Sequence, residues 1–281
     1  MNPEPMSDTA TLPEPTPVAE PVEDRVEDAE KGVQPRRRSG GNAADMTLTV
    51  RVKRFNPDTD KRPRWDEWEV PAEAMDRALD LLHYVKWHLD GTLTFRKSCA
   101  HGICGSDAMK INGENQLACS ILVQDLGLTD GDTVTFEPLP AAPVVKDLVV
   151  DQSRFFDKYR AVMPWLINDE AVPVTERIQS PEQHAVIEDA TKCIMCGACT
   201  HSCPSTWADP DYLGPAAMLK AYRYVFDSRD TEPEERLKVV DSKDGLWKCY
   251  TIFNCVQACP KGIDITRWLS ALKRKSVTTR Y

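Results

Sequence analysis

Two runs of cysteine in the second half of the chain constrain it more than anything else in the sequence. The first is Cys193-x2-Cys196-x2-Cys199-x3-Cys203-Pro204. The second repeats that spacing as Cys249, Ile252, Cys255, Cys259 and Pro260, with isoleucine where the second cysteine should stand. Runs of this form hold cubane clusters, and in two-cluster proteins the fourth cysteine of a run ligates the other cluster. Crossing the fourth cysteines predicts one site of Cys193, Cys196, Cys199 and Cys259, four thiolates suited to [4Fe-4S]. The other site has Cys203, Cys249 and Cys255 only. Ile252 has no lone pair to offer, so that corner is predicted to lack its iron, giving [3Fe-4S]. Structural zinc wants four ligands per site, and two phased runs that share seven thiolates leave one zinc site short.

A separate set lies earlier. Cys99-x4-Cys104, followed at a distance by Cys119, matches most of the plant-type [2Fe-2S] spacing. The remaining ligand position falls on Asp107. A carboxylate can coordinate iron, so Asp107 is the fourth candidate ligand. The alternative is a loop aspartate, with Ser98, Ser106 or water completing the site. Gly102 and Gly105 let the loop backbone wrap closely around a cluster. His101 shares the loop, but a Rieske site needs two histidines on one iron and no second one is near.

The rest of the chain sets these sites in a two-part protein. Residues 1–45 hold seven of the 21 prolines, ten acidic and five basic residues, and read as a disordered acidic tail. Met46–Phe55 alternates apolar and polar residues, as a half-buried strand does. A partner strand is expected over Trp65–Val70, then a helix from Pro71 to about Gly91 whose inner face is Met75, Ala78, Leu79, Leu82, Val85 and Leu89. Further strands are expected near 108–111, 116–119 and 133–137. Beyond Pro143 the punctuation becomes helical: Ser180-Pro181-Glu182-Gln183 reads as a capping box. Pro215–Phe226, Pro233–Val240 and Ile265–Lys275 read as further helices. The expected class is α+β: a [2Fe-2S] plant-type ferredoxin-like (β-grasp) domain over 46–147, then an all-α bacterial-ferredoxin-like domain over 148–281.

Composition excludes several function classes. The formal charge of -9 offers no basic footprint for nucleic acid. No apolar run reaches the length of a membrane-spanning helix. Met1–Glu30 has neither the basic start nor the apolar stretch of a secretory signal. The ten cysteines are therefore expected as reduced metal ligands rather than disulfides. No dinucleotide fingerprint or dicarboxylate-binding cluster is present, so no catalytic residue is expected on this chain.

From about Met46 to Lys275 the sequence resembles the iron–sulfur subunit of the succinate dehydrogenase and fumarate reductase family. The resemblance rests on Ser98-Cys99, Gly102-Ile103-Cys104-Gly105-Ser106, Asn112-Gly113, Leu117-Ala118-Cys119 and both later runs. Asp227-Ser228-Arg229-Asp230 and Cys259-Pro260-Lys261-Gly262 add to it. It implies a subunit that passes electrons from the FAD of a flavoprotein subunit through [2Fe-2S], [4Fe-4S] and [3Fe-4S] to a quinone. It also implies membrane-anchor subunits, a peripheral place on the cytoplasmic face of the cell membrane, and a quinone pocket touching Pro204, Trp207, Tyr250 and Ile252. The chain departs from the family at Ala100-His101, where Arg-Glu is usual, at Tyr250, where histidine is common, and at Trp207, which stands alone where two tryptophans are frequent. Fumarate reduction, with electrons running the other way, is the rival within the class, and a free ferredoxin-type carrier is the rival outside it.

Overall fold

The computed structural model describes residues 45–280, so the expected tail over 1–45 lies, Asp45 apart, outside the described residues. Strands β1 (Met46–Arg54), β2 (Arg64–Ala72), β3 (Ala108–Ile111), β4 (Glu114–Leu117) and β5 (Thr133–Glu137) form one mixed sheet in the order β2-β1-β5-β3-β4. β1 runs parallel to β5 and antiparallel to β2. The period-two pattern of β1 sends Leu48, Val50 and Val52 into the core. Helix α1 (Ala78–Tyr84) covers that face with Leu79, Leu81 and Leu82, and its last turn widens into a π-turn over Val85–Leu89.

The helix expected from Pro71 begins seven residues later, at Ala78. Pro71 and Ala72 instead end β2, paired with Thr47 and Met46. β2 is an edge strand, where proline's missing N–H costs no ladder bond. Of the expected inner face, Ala78, Leu79, Leu82 and Val85 are buried, whereas Met75 and Leu89 lie outside the helix proper and are exposed. The strand expected over 116–119 occupies Glu114–Leu117, which leaves Cys119 in the turn beyond it.

A short hairpin, β6 (Val144–Lys146) with β7 (Val149–Val150), precedes the helical part. Its turn residue Asp147 is buried against Arg54, whose Nε is 3.0 Å from the carboxylate, and the same carboxylate accepts the Phe55 and Thr94 amides. Helices follow as α2 (Ser153–Ala161), α3 (Pro181–Thr191), α4 (Ala198–His201), α5 (Pro204–Ala208), α6 (Pro215–Val225), α7 (Pro233–Val240), α8 (Asn254–Gln257) and α9 (Ile265–Arg280). The capping box of α3 is present: Ser180 Oγ accepts the Gln183 amide, and Gln183 Oε1 accepts the Ser180 amide.

Two apolar clusters organise the described residues. One lies between the sheet and α1 and also takes in Cys196 and Ala198. The other is built on α6, α9 and α7. The Asp227–Asp230 segment is structural. Asp230 forms a fully buried pair with Arg236 at 2.5 Å, and Arg236 also donates to the Met163 and Trp165 carbonyls. Removing one partner of such a pair costs about 3–5 kcal/mol. No helix among the described residues is long and apolar enough to cross a membrane.

Candidate iron–sulfur centres

None of the ten cysteines forms a disulfide. The loop between the π-turn and β3 turns through positive φ at Ala100, Gly102 and Gly105, and this aims its amides inward. Gly102 N donates to Cys119 Sγ at 3.2 Å, and Ile103 N and Cys104 N donate to Cys99 Sγ at 3.4 and 3.3 Å. Amides directed at sulfur are what a cluster loop requires. The backbone amides of His101, Cys104 and Ile103, the first contributing most, hold the Cys99 thiol at about 6. Burial and the neighbouring Asp107 carboxylate push Cys119 up to about 12.

Asp107 is buried at 2% exposure. Its Oδ2 accepts the Cys119 amide at 2.5 Å, while Oδ1 is buried with no hydrogen-bond partner. A buried carboxylate oxygen without a donor is costly, and iron would satisfy it. His101 is exposed, with Nδ1 2.7 Å from the Cys99 carbonyl.

The two later runs adopt the same local backbone. In each, the residues two and four after the first cysteine have positive φ: Met195 and Gly197 in one, Thr251 and Phe253 in the other. In each, a one-turn helix follows at once, α4 or α8. A narrow chamber is lined by Cys193, Cys196, Cys199 and Cys259. A second is lined by Cys203, Cys249 and Cys255, with Pro204, Tyr250 and Ile252 beside them. The fold thus brings Cys259 to the first run and Cys203 to the second. Among the described residues, no three potential ligands converge on a point that one metal ion could occupy. Thiols grouped in this way around a chamber are the donor sets of iron–sulfur clusters.

Burial pushes Cys196 up to about 11 and Cys255 up to about 12, and raises Cys193 and Cys199. Thiols this reluctant to ionise make iron binding a proton-releasing event. A lysine sits behind the first cysteine of each run. Lys220 Nζ donates to the Cys193 carbonyl at 3.3 Å, and Lys273 Nζ to that of Cys249 at 2.8 Å. Neither lysine is visible in the motif spacing, because both come from helices distant in sequence.

Trp207 is not part of the second chamber. It is half exposed, donates Nε1 to the His201 carbonyl at 2.7 Å, and faces a neighbouring groove lined by Lys110, Asn115, Pro140 and Gln257. Ile252 stands at the rim, 48% exposed, and Tyr250 is more open at 75%.

The first loop meets the four-cysteine chamber directly. A Cβ on Gly105 would lie 2.6 Å from Cys196 Cβ. Asn115 Nδ2 also donates to the Ala198 carbonyl at 3.2 Å, across the same seam.

A cysteine loop on a sheet, in contact with two paired cysteine runs among helices, defines an iron–sulfur electron-transfer protein. Residues 49–157 match the family model of a 2Fe-2S iron-sulfur cluster binding domain, and residues 185–260 match that of a 4Fe-4S dicluster domain. The succinate dehydrogenase iron-sulfur subunit of Coxiella burnetii is 41% identical over 223 residues, covering 77% of this chain and 92% of the relative. That of Paracoccus denitrificans is 42% identical over 228 residues, covering 80% and 86%. A solved chain of the Mycobacterium smegmatis Sdh1 complex in the apo form superposes with a TM-score of 0.78 at 25% identity, covering 85% of this chain and 98% of that one. The chain belongs to the family of succinate dehydrogenase iron–sulfur subunits. It is accordingly an electron-transfer subunit of an oxidoreductase complex, with [2Fe-2S], [4Fe-4S] and [3Fe-4S] clusters.

Proposed function

We propose that Cys99, Cys104, Asp107 and Cys119 hold the two-iron cluster. In this reading Cys193, Cys196, Cys199 and Cys259 hold the four-iron cluster, and Cys203, Cys249 and Cys255 the three-iron cluster. The sheet part is then a β-grasp, plant-type ferredoxin-like domain over 46–147, and the remainder a bacterial-ferredoxin-like domain over 148–281. When bound, the clusters supply one-electron relay chemistry between the FAD of a flavoprotein subunit and a membrane quinone. The chain's own residues fix where that relay begins and ends. The open face of the loop at Cys104 and Ile103 meets the flavoprotein. The rim at Pro204, Tyr250 and Ile252, with Trp207 on the same short helix α5, meets the quinone and the anchor subunits. The subunit is peripheral, on the cytoplasmic face of the cell membrane.

The observation that carries this reading is the continuity of the sites. The two-iron loop touches Cys196, and each later chamber is completed by a cysteine from the other run. The test is Ile252→Cys in the purified complex, reduced with succinate and examined by EPR. The parent should show the oxidised-state signal of a three-iron cluster, and the variant should lose it to a four-iron cluster of lower potential. A parent without that signal would refute the ligand assignment.

A further inference from the structure

The residue with the most unusual surroundings outside the cysteine ligands is Tyr212. It is fully buried in the helical core, and its hydroxyl has no hydrogen-bond partner. A buried hydroxyl left without a partner costs free energy, and most buried tyrosines find one. Tyr212 lines the chamber of Cys203, Cys249 and Cys255.

The segment bearing Tyr212 is clamped in place. Lys248, the residue before Cys249, pairs with both Asp209 and Asp244, and the Leu213 amide donates to the Asp244 carbonyl at 2.8 Å. The clamp joins the Tyr212 turn to the approach of Cys249, so ring and thiolate hold one geometry.

We propose that the Tyr212 hydroxyl donates a hydrogen bond to sulfur at the three-cysteine site, Cys249 Sγ or a sulfide beside it, and thereby raises the reduction potential of the cluster held there. Hydrogen bonds to sulfur are one of the protein's main means of setting cluster potential. Reduction adds one electron and one negative charge to the cluster, while the hydroxyl keeps its proton. The donor therefore stabilises the reduced state more than the oxidised one. The placement suits a terminal site that must draw electrons from its neighbours. Tyr212 is a positioning residue here and touches no substrate.

The inference rests on the ligand assignment proposed above, and the experiment separates the two. Tyr212→Phe would be made in the full complex and titrated electrochemically by EPR, with the two-iron and four-iron clusters as internal references. At the potential where the parent three-iron cluster is half reduced, the oxidised-to-reduced ratio should rise about three- to tenfold in the variant, a tenfold change being about 59 mV for one electron. The other two clusters should titrate as in the parent. Pulsed EPR after exchange into heavy water should show an exchangeable proton coupled to the oxidised three-iron cluster in the parent and its loss in the variant. If Tyr212→Phe fails to assemble, 3-fluorotyrosine at 212 keeps the shape, is the stronger donor, and should move the ratio the opposite way. An unchanged ratio, or a coupling that survives Tyr212→Phe, overturns the inference while leaving the site intact. Absence of any three-iron signal in the parent overturns the site assignment and the inference with it.

Discussion

Replacing Gly105 by alanine tests the contact between the first loop and the four-cysteine chamber. Gly105 has φ +69°, a region where an L side chain costs about 1–2 kcal/mol. Its new methyl would lie 2.6 Å from Cys196 Cβ and 2.9 Å from Cys196 Cα. Carbon atoms pack at about 3.5–4.0 Å, so the seam must open by about 1 Å. Neither partner can swing away, because one contact is backbone and the other a Cβ fixed to it. Overpacking of this kind costs about 1–3 kcal/mol, which with the strain totals about 2–5 kcal/mol. For a protein of this size that lowers Tm by at least about 4 °C. The kinetic consequence is selective. Freeze-quenched complex mixed with succinate should still reduce the two-iron cluster, while the onward electron to the four-iron cluster is delayed. Parent-like melting together with parent-like reduction of both clusters would show that the two sites do not communicate through this contact.

Asp107→Cys should retain a two-iron cluster with altered EPR and potential, because a hard oxygen donor becomes a soft thiolate. It should also lose about 1–3 kcal/mol of stability as the Cys119 amide loses its acceptor, and an unchanged spectrum would remove Asp107 from the ligands. Acid should weaken the sheet part at Asp90. Burial works to raise this carboxyl, but Thr92 and Arg54 outweigh it and hold it at about 2 against an ordinary 3.8. A depressed carboxyl stabilises the fold above its unfolded value, and that contribution is lost as pH falls from about 3.8 towards 2. Denaturant titrations across that window should show parent stability falling more steeply than that of Asp90→Asn. Equal slopes would mean the Arg54 contact adds nothing.

The cysteine spacing made the metal chemistry legible because ligand geometry is written directly in chain separation. The same spacing predicts the crossed pairing of Cys203 and Cys259, and the lining of the two chambers supports that reading. What spacing could not show is what other elements bring to those ligands. Lys220 and Lys273 are ordinary helix residues in sequence and reach the cysteine backbone only through packing, as does Tyr212 the wall of the second chamber. Pro71 misled for a local reason, since proline opens helices and also sits at strand edges, and only the sheet order shows which applies. Helix α2 has no first-turn proline, capping box or glycine stop to announce it, and it starts where Asp151 accepts the Ser153 amide and hydroxyl. Trp207 follows the chamber residue Pro204 by three positions, yet α5 turns it towards the neighbouring groove.

The contact of Gly105 with Cys196 also has a meaning in time. Cys196 leaves the ribosome about ninety residues after Gly105, roughly 5–20 s later at ordinary synthesis rates. All five strands of the sheet have been made well before then. The loop that carries Gly105 and the sheet behind it are thus complete in sequence while the surface they will share with Cys196 is still uncovered.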